Sequence, residues 1–69
     1  MYRVACYQNG NRVFRFTTSN HQEAQAVILH AKGTDGIDLI DLYEVKAGLD
    51  TLSTRWSIVW PGSWQTLDL

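Results

Sequence analysis

The dipeptide Asn9-Gly10 lies between two β-rich runs, "YRVACYQ" and "RVFRFTT". Asn-Gly between alternating apolar residues is the strongest short hairpin signal, because both central residues of a tight two-residue turn need positive φ. The chain is thus expected to open as a β-hairpin, with the remaining residues packing on or beside it. Register decides what the hairpin can bury. A two-residue loop pairs Val4 with Arg15 and Ala5 with Phe14, which mixes apolar and charged residues on both faces. A three-residue loop, Asn9 to Asn11, pairs Gln8 with Arg12 and sorts them. Tyr2, Val4, Cys6, Phe14 and Phe16 then share one face, and Arg3, Ala5, Tyr7, Val13, Arg15 and Thr17 the other. A one-residue slip exchanges the faces, so the burial pattern selects the odd loop, with Asn11 in a left-handed conformation.

The stretch "SNHQEAQAVILHAKG" follows. Ser19 with Gln22, or Asn20 with Glu23, forms a capping box; Ala24, Val27, Ile28 and Ala31 repeat at helical spacing; Gly33 ends the run. The segment "GIDLIDLYEVKAG" fits two patterns. As a helix it has a stripe of Leu39, Ile40 and Tyr43. As a strand it puts Ile37, Leu39, Tyr43 and Val45 on one face, with Asp41 the exception, and its Ile, Tyr and Val favour the strand. Residues 46–54 read as a polar connection. "RWSIVW" then alternates, with Trp56, Ile58 and Trp60 on one face, and Pro61-Gly62 signals a turn. The expected fold is α+β, a two-layer β-β-α-β-β arrangement over residues 1–69 as one domain. One helix covers one face of a small antiparallel or mixed sheet, and "SWQTLDL" supplies a short fifth strand or lies against the body.

A chain of 69 residues buries only about 60% of its unfolded surface, so its core has little to spare. Cys6 is the only cysteine, which excludes an intramolecular disulfide and a four-cysteine zinc site. Met1 is followed by a strand-like run rather than a leader, and no apolar stretch approaches the roughly 20 residues of a membrane span. A cytoplasmic protein that does not enter the membrane is expected. Net charge is −1, unevenly placed. Arg3, Arg12, Arg15 and Lys32 oppose only Glu23 in residues 1–32; Lys46 and Arg55 face six carboxylates in the remainder. Such asymmetry marks either a charged partner surface or two halves that complement each other within the fold.

Chemistry is sparse. His21 and His30 are nine positions apart, on opposite sides of one helix, and cannot share a metal. Asp35, Asp38, Asp41 and Glu44 lack the glycine and ligand spacing of a calcium loop. Cys6 falls on the apolar face, where a thiol is inert. The five glycines are scattered, with no phosphate-binding loop. Neither enzyme activity nor a cofactor is expected.

More apolar residues are present than one helix can cover. Trp56 and Trp60 are expected in the core, because the strand's period of two turns them inward with Ile58. The surplus points to a small non-enzymatic protein-binding module that occupies a partner's surface. An inhibitor, adaptor or regulatory accessory protein of phage or mobile-element type fits the size. Trp64, Ile40, Leu42 and Tyr7 are the expected anchors, with Arg3, Arg15 and Arg55 as a charged rim. Self-association through the same face is compatible with this. The alternative is a weak nucleic-acid binder using a sheet face with Arg3, Tyr7, Arg15, Lys46 and Arg55; Asp38 and Glu44, expected on that face, weigh against it.

Overall fold

The computed structural model describes residues 1–59 and 63–68. Along the chain come β1 (Tyr2–Gln8), β2 (Asn11–Thr18), α1 (His21–Lys32), β3 (Leu39–Lys46), β4 (Leu49–Val59) and β5 (Ser63–Asp68). The strands form one sheet in the order β2-β1-β3-β4-β5, every neighbouring pair antiparallel. This is the expected α+β arrangement, with the tail as a fifth, edge strand.

The opening hairpin reaches the expected faces by another route. Its loop has two residues, Asn9 at φ 52° and Gly10 at φ 82°, with Gln8 opposite Asn11. A β-bulge then shifts the register. Tyr7 pairs with Arg12, but Cys6 pairs with Phe14, Ala5 with Arg15 and Val4 with Phe16. The extra residue of the bulge does what a third loop residue would have done. The left-handed residue is therefore Asn9, not Asn11.

Asn20 caps α1: its side-chain oxygen accepts from the backbone N–H of Gln22 (2.9 Å) and Glu23 (3.2 Å). Gly33 closes the other end, its N–H donating to the His30 carbonyl. Ala24, Ile28 and Ala31 are buried against the sheet, and two of these three are small enough to let the helix sit close.

The face of β3 corrects the sequence expectation. Val4 pairs with Leu42, Cys6 with Ile40, and Ile40 with Trp56. Paired residues share a face, so Ile40 and Leu42 lie beneath the helix and are buried. Leu39, Tyr43 and Val45 turn the other way and are half-buried. Asp41, the apparent exception in their row, was the signal that this row faces away from the helix.

Residues 46–54 are not a polar connection. Ala47 (φ 51°) and Gly48 (φ 79°) make a two-residue turn, Lys46 pairs with Leu49, and β4 runs on through residue 59. Alanine is an unusual occupant of a positive-φ position, which is why the turn gave little warning. Trp56 is core, 8% exposed, as its alternation required. Ile58 is 41% exposed, out toward the β5 edge, where it pairs with Trp64. Phe14, expected inside, is 47% exposed on the edge strand β2. Trp60 lies outside the described residues.

Candidate functional site

Two regions gather the side chains singled out by sequence. The first is the sheet face away from α1. One row across it reads Arg15, Ala5, Asp41, Arg55, Leu67. Asp41 at its centre is 1% exposed, although no other element covers this face among the described residues. Its own neighbours do the covering. Arg55 lies across it with Nε 2.7 Å from Oδ1 and Nη2 3.0 Å from Oδ2, a bidentate pair. The Tyr43 hydroxyl donates to Oδ2 at 3.3 Å. Burial, then the Asp41 charge, then the nearby Tyr7 push the Tyr43 pKa up to about 12. The hydrogen bond and charge of Asp41 raise the Arg55 pKa too. No buried side-chain nitrogen or oxygen among the described residues lacks a partner. The cluster is a hydrogen-bonded unit in which the Asp41 carboxylate is fully paired.

The arginines on this face divide into two kinds. Arg3 donates from Nε to the Thr17 hydroxyl at 3.2 Å and pairs with Asp50. Arg55 is held by Asp41. Arg12 and Arg15 are exposed and form no salt bridge among the described residues. Lys46 and Glu44 do not belong to this face: alternation along β3 puts them with Leu42, Glu44 beside Tyr2, and they pair at 3.5 Å. Tyr7 stays here, half-buried.

The second region lies on the helix side and follows from how α1 crosses the sheet. At its start the His21 ring stands edge-on to Tyr2, centroids 5.1 Å apart, over β1. At its end Lys32 reaches β4 and β5: its Nζ is 5.2 Å from the Trp56 ring centre, and Trp64 Nε1 donates to the Lys32 carbonyl at 3.1 Å. The helix thus runs diagonally and leaves one corner of the sheet bare, where β2 meets the Asn9-Gly10 turn. The bare corner is apolar. It forms an open groove of about 550 Å³ with buried Cys6 on its floor. Val13 and Phe14 make one wall, Ala26, Val27 and Ala31 the other, and Ile37 the end. Glu23, His30 and Thr34 also line it and are exposed. The returning loop is pinned beside the hairpin: Asp38 N–H donates to the Tyr7 carbonyl, and the Asp38 carboxylate accepts from Asn9 N–H, both at 3.0 Å. Burial pushes the Cys6 thiol pKa up, which keeps it protonated and unreactive.

No protein-family description, curated protein or solved structure matches this chain.

The seven residues proposed from sequence therefore do not form one surface. Tyr7, Arg3, Arg15 and Arg55 share the open sheet face, while Ile40, Leu42 and Trp64 lie on the helix side. Ile40 and Leu42 are core residues without exposed surface for a partner. Trp64 is half-buried, and its indole N–H is already used on a carbonyl left open at the helix end. Sequence reasoning missed Val13 and Phe14 as exposed groove residues. One signal for them existed: two adjacent apolar residues between Arg12 and Arg15 do not fit strict alternation, and a bulge resolves the conflict.

Proposed function

We propose that this chain is a small non-enzymatic protein-binding module whose contact region is the groove between α1 and β2. One observation carries the reading: Phe14, a large exposed aromatic, stands at the wall of an open apolar groove beside exposed Val13. A contiguous exposed apolar surface on a protein this small is a hallmark of interaction sites. A groove of this volume lies within the range of ligand-sized sites, and aromatic residues dominate binding energy at interfaces. The module acts by occupying a partner's surface, as an inhibitor, adaptor or regulatory accessory protein. A reducing cytoplasm suits its single thiol.

The test begins with affinity capture of the partner from the native host and measurement of its Kd. Phe14→Ala should stay folded, because about half of that ring is already in water. Its affinity for the partner should fall by at least about 2 kcal/mol, the threshold for an interface hot spot. A Phe14→Ala variant that binds like wild type would remove the groove from the contact region.

A further inference from the structure

Building on that binding reading, we propose that the partner segment is an extended strand alternating bulky apolar with acidic residues, and that it adds to the free edge of β2. The sheet order leaves β2 with β1 on one side only, so its other edge is available for strand addition. The two faces of β2 differ in kind. Toward the helix it carries Phe14 and Phe16, and Val13 and Phe14 open onto the groove. On the opposite face it carries Arg15, the partner of Ala5, with Arg12 beside the bulge. A strand laid along this edge must match both faces with a period of two. Its inward residues meet the apolar groove and its outward residues meet the arginines.

Charge narrows the occupant further. Residues 1–18 contain three arginines and no carboxylate. Arg3 is neutralised by Asp50, as Arg55 is by Asp41, whereas Arg12 and Arg15 have no such partner among the described residues. Charged residues on an edge strand normally protect it from pairing with further strands. Here the protection has one sign. A second copy presenting its own β2 would set arginines against arginines, and like charges across a strand pair are destabilising. An acidic strand converts the same residues from a barrier into a source of specificity.

The experiment titrates the isotopically labelled full chain with three synthetic eight-residue peptides, followed by NMR. One alternates Val and Glu, one alternates Val and Lys, and the third is the Val/Glu peptide with two adjacent central prolines, one of which replaces a residue whose N–H faces β2. The Val/Glu peptide should bind at least about tenfold more tightly than Val/Lys at low salt. It should shift amides along β2 and the groove and slow hydrogen exchange at the β2 edge. The proline peptide should lose at least about tenfold, since proline removes a ladder donor. Arg15→Glu should reverse the preference between the Glu and Lys peptides, and Arg15→Thr should narrow it.

Equal affinity for the Glu and Lys peptides, or full retention by the proline peptide, would overturn the strand proposal. The groove reading would survive that result if Phe14→Ala still weakens the captured partner. Loss of both effects would remove the groove reading as well. Tighter binding of a single-stranded oligonucleotide than of the Val/Glu peptide at β2 would overturn the proposal in favour of a nucleic acid. Concentration-dependent dimerisation through β2, read by sedimentation, would overturn it in favour of a second copy.

Discussion

The two faces of the sheet bury their central residues by different means. Beneath α1, Val4, Cys6, Ile40, Leu42 and Trp56 are shielded by a second layer, with Ala24, Ile28 and Ala31 pressing on them. On the open face Asp41 is buried more deeply than Leu42 or Trp56, but by its own row. Small Ala5 lies on one side, and Arg55 and Tyr43 hold the carboxylate. The helix side is stabilised by removing apolar area from water, which needs no directional partner. The open side has taken a carboxylate out of water, and it stays stable only while every hydrogen bond there is made. Depth of burial therefore does not report how a site is stabilised.

Mutations separate the two mechanisms. The largest effect is expected at Trp56. Trp56→Ala should cost about 3–5 kcal/mol, the range for truncating a core aromatic. That is comparable with the whole stability of a small domain, so the variant should show no cooperative thermal unfolding transition. A Trp56→Ala protein with a transition close to wild type would place the dry face low in the energetics. On the open face, Arg55→Ala leaves Asp41 buried without its cation. Loss of one partner of a buried pair costs up to about 3–5 kcal/mol, and the partial exposure of Arg55, 41% of its side chain, should bring this nearer 2 kcal/mol. Adding Asp41→Leu should recover part of the loss, because the stranded charge is gone. Urea unfolding of both variants reads this, and an additive double variant would contradict the unpaired-charge explanation.

The pH response adds to the contrast: beneath the helix the titrating group is the Cys6 thiol, raised by burial alone, whereas on the open face it is the hydrogen-bonded Tyr43 phenol. The folded protein holds the Tyr43 proton up to about pH 12, against an ordinary value of 10. Folding is thus favoured by the protonated phenol. This contribution is fully present below pH 10 and is lost as pH rises from 10 through 12, by about 2 kcal/mol once solvent screening of the half-buried phenol reduces the roughly 1.4 kcal/mol per pKa unit. Tyr43→Phe should flatten the decline in stability across that interval. Equal slopes for the variant and wild type would show that Tyr43 is not the group being held. The smallest effect is expected where the helix meets β5. Trp64→Phe keeps an aromatic ring, smaller than the indole, but loses the donor to the Lys32 carbonyl, a loss of about 1 kcal/mol. Amide exchange in the last turn of α1 should quicken while the β1–β2 hairpin stays unchanged. Uniform loss of protection would mean Trp64 supports the whole core.

Several features were legible in order of residues alone. The hairpin at Asn9-Gly10, the Asn20 cap, the helix and its Gly33 end, and the inward Trp56 all appeared where the pattern put them. The candidate site was less legible. Of the expected anchors, Ile40 and Leu42 are core, and the groove walls Val13 and Phe14 were not among them. The difficulty lies in β3, where nearly every residue is apolar or charged in a way that suits either face. Asp41 looked like a misfit in an inward row, when it was the polar centre of an outward one.

The amino-acid order by itself determined the local events: the place of the Asn9-Gly10 turn, the helix caps, and the strand alternation around Trp56. Each depends on backbone preferences within a few neighbouring residues. Tertiary structure decided which side of β3 met the helix, because a period of two is symmetric between faces until the partners Val4 and Cys6 break the symmetry. It also decided the diagonal path of α1, which left the apolar corner at β2 open, since where Lys32 ends relative to Trp56 and Trp64 depends on contacts between residues 24 and 32 positions apart.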